Sequence, residues 1–374
     1  MHSFNALHLY QLFFVILHLK TMKRYRLLAA CALALLFSAL FTPKTAAFSL
    51  KLDSIAEWGK FPRFCVNAYR WGDKFFNGYD STYVAATGHK FSARVTTESW
   101  LDGYHFELPG KKYIFMDSKP STSIGLHLNY LAVSIGYDVN VNKLLTGVDH
   151  SRQRLRVGFN CMLFGAEAYL IHNNLGNTIK YFGSRDAEGR VNLPFNGINN
   201  TTWGIDAYYF FTHKRYSESA AFSFGRIQKR SHGSFYTGIS IYAQNLDFDF
   251  SELPVDLRNQ LPDYWNDYRY TVDTQNYAIR VGYGYNWVFK PNWVFGVSES
   301  PIIGLRKGVI AAWKEKVSFS LYNRFKASIV WNKGHCFFGA IGKFDVAIIN
   351  DRQTIYTSGL ISGELVFGYR FDLW

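Results

Sequence analysis

Charged residues and cysteines are scarce in this sequence, and both shortages exclude classes of protein. Charged residues make up 18% of the 374 residues, whereas a typical soluble domain has about 25%. Three of the four cysteines, Cys65, Cys161 and Cys336, lie beyond residue 47, and an odd number argues against a disulfide framework. No two of them have the spacing of zinc ligands. We therefore expect neither a disulfide-stapled domain nor a metal site, and no pattern predicts a cofactor.

Long apolar runs are absent outside the N-terminal region. A transmembrane helix needs about 20 mostly apolar residues in a row, so the rest of the chain does not encode a helical membrane protein. From Met22, the N-terminal region has a basic start, an apolar stretch and small residues up to Ala47, which are the parts of a cleaved secretory signal peptide. We expect residues 1–47 to be an over-extended start plus that signal. An inner-membrane anchor is the alternative.

The formal net charge of +13 does not predict a nucleic-acid partner. The signal segment carries basic residues and no acidic one, so it accounts for part of the excess. Nucleic-acid binding needs a clustered basic face, and the densest basic run, RIQKRSH at 226–232, is short. We interpret that run as a solvated turn.

Alternation of apolar and polar residues is the dominant pattern from residue 89 onward. In VSFSLYNRFKASIVW, residues 317–331, every second residue is apolar except Asn323, and Ser, Arg and Lys dominate the other face. Strands of globular proteins usually have about five or six residues, whereas a tilted strand crosses a bilayer with about 9–11. Aromatic residues gather near the segment ends, as in the girdles of membrane barrels; they are Tyr104, Tyr113, Trp203, Phe211, Trp287, Trp293, Trp331, Tyr369 and Trp374.

These features predict an all-β fold, a transmembrane antiparallel up-and-down β-barrel of about 12 strands, with 10–14 admissible, at residues 89–374 in the cell outer membrane. A secreted β-sandwich is the alternative. Fourteen segments qualify as strands, and those at 104–116 and 218–226 are weak. The long connections at 174–200 and 246–274 should both be extracellular, but fourteen strands put them on opposite sides. At least one strand assignment is therefore wrong.

Residues 48–88 lack the alternation and have apolar residues at helical spacing. This spacing predicts a short amphipathic helix before the barrel, with a break near Pro62. We place this helical segment at the periplasmic membrane surface, with a position inside the lumen as the alternative.

The polar face of the strands predicts charged side chains inside the barrel. The basic residues on this face are Lys90, Arg94, Arg154, Arg156, Arg280, Lys316, Arg324, Lys326, Lys343 and Arg370, and the acidic ones are Glu98, Asp138, Asp206, Asp345, Glu364 and Asp372. An open lumen with this balance favours anions modestly, whereas a closed lumen holds its charges in ion pairs, because unpaired buried charges are costly. The leading hypothesis is a small, porin-like pore with a mild anion preference, or a structural barrel.

Catalytic motifs are absent, and an enzymatic hypothesis depends on two residues. His127 and Ser123 lie on the polar face of one strand, and a Ser–His pair suits ester hydrolysis of lipid or lipopolysaccharide. Lumen-facing strands are naturally rich in Ser and His, so we predict that the protein is not an enzyme. A third hypothesis is an adhesin or binding barrel that uses the 246–274 loop.

The last segment, GELVFGYRFDLW, ends in aromatic residues, with Phe371 in the lipid-facing phase and Trp374 one step out of it. A terminal aromatic residue resembles the signal that the outer-membrane barrel assembly machinery reads. We expect that machinery, outer-membrane lipid and lipopolysaccharide as partners.

Three stretches resemble a family of outer-membrane β-barrel proteins. They are WGDKFFNGYDSTYV, SIGLHLNYLAVSIGYDVNVN and YSESAAFSFGRIQKRSHGSFYTGISI. The family is an uncharacterised one of anaerobic, gut-type Gram-negative bacteria, catalogued as a domain of unknown function, and the similarity runs from about Trp71 to the end. The resemblance implies location and architecture, and it implies no reaction or ligand.

Overall fold

Strands make up most of the chain that the computed structural model describes, which is residues 59–108, 112–141, 152–173, 176–184, 189–261, 269–310, 316–350 and 355–372. In chain order the strands are β1 (Val84–Ala86), β2 (Phe91–Leu108), β3 (Lys112–Ser118), β4 (Ser121–Tyr130), β5 (Val133–Asn140), β6 (Arg152–Asn160), β7 (Phe164–Asn173), β8 (Asn177–Ser184), β9 (Arg190–Phe195), β10 (Ile198–Phe210), β11 (Arg226–Gln228), β12 (His232–Asp249), β13 (Arg269–Lys290), β14 (Trp293–Ile310), β15 (Lys316–Lys333), β16 (Cys336–Asn350) and β17 (Ile355–Phe371). The helices are α1 (Lys60–Asn77), α2 (Glu218–Phe222) and α3 (Val255–Arg258), with a 3₁₀ helix at Phe250–Glu252.

Twelve of these strands form a closed antiparallel barrel, which confirms the predicted fold. The wall follows the chain in the order β2, β4, β5, β6, β7, β10 and then β12 to β17. The pairing of β17 with β2, from Phe371–Phe91 to Ile355–Glu107, closes the sheet. Closure removes the unpaired edges that an open sheet would expose to lipid.

The outer face of the wall is apolar and the inner face is polar. In β13, Ile279 is 62% exposed and Val281 is 53% exposed, whereas the alternate residues Ala278 and Arg280 are buried. Successive side chains of a strand point to opposite faces, so this sequence directs its apolar side chains outward to lipid. An even strand number, an apolar outer band and a polar interior are the architecture of an outer-membrane β-barrel.

Two of the fourteen predicted strands are not additional wall strands, which settles the strand number. Residues 104–116 divide between the second half of β2 and the short β3, and residues 218–226 form α2 and a turn before β11. Without these two segments, twelve wall strands remain. The long connections at 174–200 and 246–274 then lie at the same end of the barrel, as the membrane topology requires.

The two ends of the barrel differ in their connections. β2 pairs with β4 over its first half and with β3 over its second half, and β3, β8 and β9 continue as a short sheet at the end with the long connections. We call this the long-loop end. The opposite, short-turn end has tight connections such as 131–132 and 334–335, and short turns lie on the periplasmic side of outer-membrane barrels.

The helix α1 has 18 residues and begins at Lys60. Pro62 lies in its first turn, where a missing N–H group is tolerated, so the predicted break near Pro62 is wrong. Within the compact unit Asn67–Leu373, the C=O of Phe76 accepts a hydrogen bond from the N–H of Leu163 at 3.0 Å. Among the described helices, none has the length and apolar character needed to span a membrane. The predicted signal peptide lies outside the described residues.

Candidate functional site

An apolar cluster, which we call the cap, closes the long-loop end. The ring of Phe248 lies 4.7 Å from Phe106, 4.8 Å from Phe195 and 4.5 Å from Phe250, measured between ring centroids. Burying one such side chain stabilises the fold by about 1.5–3 kcal/mol relative to leaving it exposed. The buried members of the cap are Tyr104, Phe106, Ile114, Met116, Ile179, Phe182, Phe195, Ile198, Leu246, Phe248, Phe250, Leu253, Leu257, Leu261, Tyr270, Val272 and Tyr356.

Residues 211–231, which we call the plug segment, fold against the inner wall at the short-turn end. In α2, the carboxylate of Glu218 accepts a hydrogen bond from Nζ of Lys326 at 2.7 Å. Phe224 is buried and stacks on Phe337 with ring centroids 4.9 Å apart. The φ angle of Phe224 is 63°, a left-handed conformation that is uncommon for a bulky residue.

Main-chain oxygens of the plug segment accept hydrogen bonds from polar side chains of the wall. Asn332 donates to the C=O of Arg226 at 3.0 Å, and Arg370 donates to the C=O of Phe224 at 2.7 Å. Asn286 in β13 makes the same kind of contact with the C=O of Ser217 at 2.8 Å. Polar contacts therefore hold the plug segment, together with the burial of Phe224.

One cluster of ion pairs joins β2, β5, β6, β16 and β17 across the inner face. Arg154 binds both Glu98 and Asp138, and its Nε lies 3.3 Å from Oδ2 of Asp138. Lys343 lies 2.9 Å from Glu364 and 3.5 Å from Glu98. These carboxylates are almost fully buried and each has a basic partner, as buried charges require.

Two inward-facing glycines make room for part of this cluster. His127 lies 3.2 Å from Oδ1 of Asp138. A Cβ atom at Gly136 would lie 1.9 Å from the His127 ring, and one at Gly125 would lie 2.1 Å from Oδ1 of Asp138. The glycines on the polar face therefore allow the large side chains of neighbouring strands to fill the lumen.

A second cluster is centred on Asp206 of β10. Its Oδ2 forms an ion pair with Arg280 at 3.2 Å and accepts a hydrogen bond from Arg324 at 3.3 Å, and Ser240 donates to Oδ1 at 2.5 Å. Arg324 also binds Asp345 at 3.2 Å. Because β15 and β10 are four strands apart in the wall, the contact between Arg324 and Asp206 bridges the lumen.

A cavity of about 180 Å³ lies between the second ion-pair cluster and the cap. Asp206, Arg280 and Arg324 line one side, and Tyr104 of the cap lines another. Aromatic, basic and acidic side chains all contribute to the lining: Tyr104, Tyr169, Tyr242, Tyr322, Arg280, Arg306, Arg324, Asp102, Asp206 and Asp345. This combination of phenol, guanidinium and carboxylate groups around one cavity is the candidate functional site.

The structure places most of the predicted lumen residues in these clusters and two of them elsewhere. Arg94, Arg154, Arg156, Arg280, Arg324, Lys326, Lys343, Glu364 and Arg370 are buried or half-buried on the inner face. Lys90 and Asp372 instead lie just outside β2 and β17 and are exposed. There the main-chain N–H of Lys90 donates to the Asp372 carboxylate at 2.8 Å. The predicted inward position of these two residues is wrong, because the strands end before they reach them. The side chain of Lys316 lies outside the described part of the structure.

His127 and Ser123 are both buried on the inner face, but they do not form a pair. They are four residues apart on one strand, which separates them by about 13 Å at 3.3 Å per residue. His127 instead contacts Asp138, Thr96 at 3.3 Å and Arg156 at 3.3 Å. Among the described residues, no group of three or more His, Cys, Asp or Glu side chains is placed to hold a metal ion.

Other predicted features lie partly beyond the described residues. Phe371 ends β17 and stacks on Phe91 with centroids 5.7 Å apart, whereas Trp374 lies outside the described residues. In the 246–274 loop, residues 250–261 contribute to the cap, and residues 262–268 are not described. Its role as an adhesive loop stays a prediction.

Arg306 and the tyrosines of the cavity were missed by the sequence analysis. The strand that carries Arg306 was predicted at 292–303, but β14 continues to Ile310. The alternation of LRKGV after residue 304 was the available signal, with Leu305 outward and Arg306 inward. Tyrosines on an inner face were not distinguished from the interfacial aromatic residues.

Several solved structures are similar to this chain at low identity. The translocator domain of the autotransporter NalP from Neisseria meningitidis has a TM-score of 0.40 and 10% identity, and the match covers 87% of this chain and 100% of that one. The outer membrane protease OmpT from Escherichia coli has a TM-score of 0.33 and 6% identity, covering 77% and 98%. The P. putida toluene transporter TodX has a TM-score of 0.28 and 7% identity, covering 76% and 91%. No curated protein sequence matches the chain.

A family model confirms that the chain resembles a family catalogued as a domain of unknown function. The origin in anaerobic, gut-type bacteria stays a prediction. The model described as "Domain of unknown function (DUF4421)" matches residues 78–371. This range contains all twelve wall strands, the cap and the plug segment. The chain therefore belongs to the DUF4421 family.

Proposed function

We propose that the protein is a non-enzymatic outer-membrane barrel that encloses a small ligand and exchanges it through the short-turn end. The observation that carries the proposal is the cavity of about 180 Å³ inside the barrel. The cap lies on one side of it, and the second ion-pair cluster and the plug segment lie toward the other end. A concave site with aromatic walls and a few polar groups is typical of a binding site.

The two closures favour the short-turn end as the route. Opening the cap exposes a cluster of large apolar side chains to water, at a cost of about 1.5–3 kcal/mol for each. Releasing the plug segment exposes fewer large apolar side chains, chiefly Tyr216 and Phe224. It also breaks hydrogen bonds that water replaces, and each contributes about 1 kcal/mol net. The plug segment is therefore the closure that opens at the lower free-energy cost.

This proposal modifies the porin-like pore expected from the sequence. With both ends closed, the resting protein does not conduct ions. Release of the plug segment removes the partners of Lys326 and Arg370 and leaves both cations in the lumen, which supports the predicted mild anion preference for any conducting state. A purely structural barrel remains the alternative, in which the cavity exchanges nothing.

A cysteine in the cavity tests the route. Thr202 lines the cavity, and Thr202→Cys in a chain whose natural cysteines are serine can be titrated with methyl methanethiosulfonate. We expect a slow reaction in this parent protein and an acceleration of about tenfold or more when Lys326→Gln removes the charge-assisted hydrogen bond to Glu218. Val255→Ala, an exposed change in α3, should leave the rate unchanged.

Other outcomes separate the alternatives. An equal reaction rate with and without Lys326→Gln would reject exchange through the plug segment, and complete protection of the cysteine in both proteins would leave the structural barrel. Discrete conductance of the wild-type protein in a planar bilayer would reject the closed lumen and support the pore.

A further inference from the structure

Arg306 is a buried arginine that has no acidic partner among the described residues. Its side chain is 2% exposed and lines the cavity. Nε donates to Oδ1 of Asn276 at 2.8 Å, and Nη1 is buried without a hydrogen-bond partner. Leaving a charged donor buried and unpaired is costly, so this guanidinium has an unused capacity to bind an acceptor.

The other two guanidinium groups of the cavity have carboxylate partners. Arg280 and Arg324 bind Asp206, and Arg324 also binds Asp345. The third carboxylate of the lining, Asp102, accepts a hydrogen bond from Asn173 at 2.9 Å. The lining therefore holds three guanidinium groups and three carboxylates, and Arg306 is the guanidinium whose Nη1 is buried without a hydrogen-bond acceptor in the described part of the chain. A carboxylate of a ligand would supply that acceptor.

The surroundings of Arg306 indicate what the rest of the ligand is. Tyr242 lines the cavity and interacts with the guanidinium, and Tyr270 and Tyr356 of the cap lie close to it. Ile302 lines the same space and is buried. Aromatic and aliphatic walls bind apolar groups, whereas a planar guanidinium fork matches a carboxylate.

We infer that the cavity binds a small organic monoanion, an aromatic carboxylate, whose carboxylate pairs with Nη1 of Arg306 and whose ring lies against the cavity tyrosines. The inference rests on the proposed function in one respect, that the barrel encloses a ligand. It does not depend on the route by which the ligand enters. A ligand that binds only the folded barrel shifts the folding equilibrium toward it. Binding at Arg306 should therefore raise the free energy of unfolding of the barrel.

Fluorine NMR of 4-fluorobenzoate tests the site directly. The full chain is refolded in detergent in the presence of the probe, so that entry through the plug segment does not limit binding. We expect exchange broadening of the probe signal with the wild-type protein and none with 4-fluorobenzamide, which has the same shape and no charge. Arg306→Gln should weaken binding by about tenfold or more.

A matched variant distinguishes binding at Arg306 from a general attraction of anions to the basic lumen. Arg156→Gln removes another inward arginine, which belongs to the first ion-pair cluster and does not line the cavity. Binding of 4-fluorobenzoate should survive this change. Arg306→Met, which replaces the unpaired charge with an apolar side chain of similar length, provides a second test if Arg306→Gln fails to fold.

Stability measurements give an independent readout. The urea midpoint of the wild-type barrel should rise with 4-fluorobenzoate and stay constant with 4-fluorobenzamide, and the Arg306 variants should not respond to either. No binding by the wild-type protein at millimolar probe, or equal binding by Arg306→Gln, would overturn the inference. Displacement of the probe by chloride at equal concentration would also overturn it, because the site would then hold an inorganic ion. Failure of exchange through the plug segment changes none of these results.

Discussion

At the long-loop end the barrel is closed by packed aromatic and aliphatic side chains, whereas at the short-turn end it is closed by a chain segment whose carbonyl groups bind the wall. The cap draws 17 buried apolar residues from the wall, the short sheet and the loop helices. The largest apolar cluster at the plug segment has five, centred on Phe224. Both ends are covered in the described part of the same molecule, but different forces hold the two coverings.

Under the proposed function, this difference lets the cap keep one end of the barrel closed while the other end opens to exchange the ligand. Separating a packed apolar cluster exposes many large side chains together, so opening the cap costs several times the burial free energy of one side chain. Polar contacts are replaced by water one at a time, so a segment held by them opens locally at a lower free energy than global unfolding. Because short turns lie on the periplasmic side of outer-membrane barrels, the plug segment lies at the periplasmic end and the cap at the opposite one.

Removing one aromatic ring from each end should give the largest difference in stability between the two closures. Phe248 contacts three other rings of the cap, and Phe248→Ala should lower the free energy of unfolding by about 3–5 kcal/mol, because it leaves a cavity in a packed cluster. Phe224→Ala should barely change the urea midpoint of the wall, since the plug segment is released before the wall unfolds. Urea titrations of both variants in detergent, followed by tryptophan fluorescence, measure this contrast.

Equal midpoint shifts for the two variants would mean that the plug segment is as integral to the fold as the cap. The comparison requires a folded Phe248→Ala protein, and a mobility shift on heating in gel electrophoresis verifies that it is folded. Ile341→Val, a smaller change in the cluster that contains Phe224, controls for general effects of loosening the short-turn end.

A second test weakens the plug segment without touching apolar packing. Asn332→Ala removes the donor to the C=O of Arg226, and a lost hydrogen bond of about 1 kcal/mol should raise trypsin cleavage after Arg226 about fivefold. Asn323→Ala is the matched control, because Asn323 lies on the same strand and binds Glu299 on the exposed face at 2.7 Å. Cleavage that is equally fast in wild type and Asn332→Ala would show that this hydrogen bond does not hold the segment.

The wall was predictable from sequence and the two closures were not. Alternation in β13, with Ile279 outward and Arg280 inward, follows from the geometry of any strand between lipid and a polar lumen. The cap uses residues such as Phe250 and Leu257, which lie in a connection without strand periodicity. Their burial depends on contacts between segments far apart in the chain, which a local pattern does not contain.

The same reasoning explains the errors at the plug segment and the cavity. Residues 218–226 alternate briefly and resemble a strand, but the wall supplies their hydrogen-bond partners through side chains such as Asn332 and Arg370. Arg306 was missed because the predicted strand ended three residues before it. Ion pairing inside the barrel could be anticipated, since buried charges need partners. That Arg306 lacks an acidic partner among the described residues could not, because it depends on the three-dimensional positions of the side chains around it.

The smallest expected effect concerns the strand ends at the short-turn end. The pKa of Asp372 is lowered because the main-chain N–H of Lys90 donates to its carboxylate, and secondly because His89 does. A lowered pKa in the folded state means that the contact stabilises the barrel above the ordinary pKa of about 3.9 and is lost as the pH falls through the folded-state value. Asp372→Asn should therefore have a slightly lower urea midpoint than wild type at pH 6, and the difference should shrink as the pH approaches 3. A difference that is constant over this range would assign the effect of Asp372 to its shape instead of its charge, and the junction between the first and last strands would then be as insensitive to pH as the apolar cap.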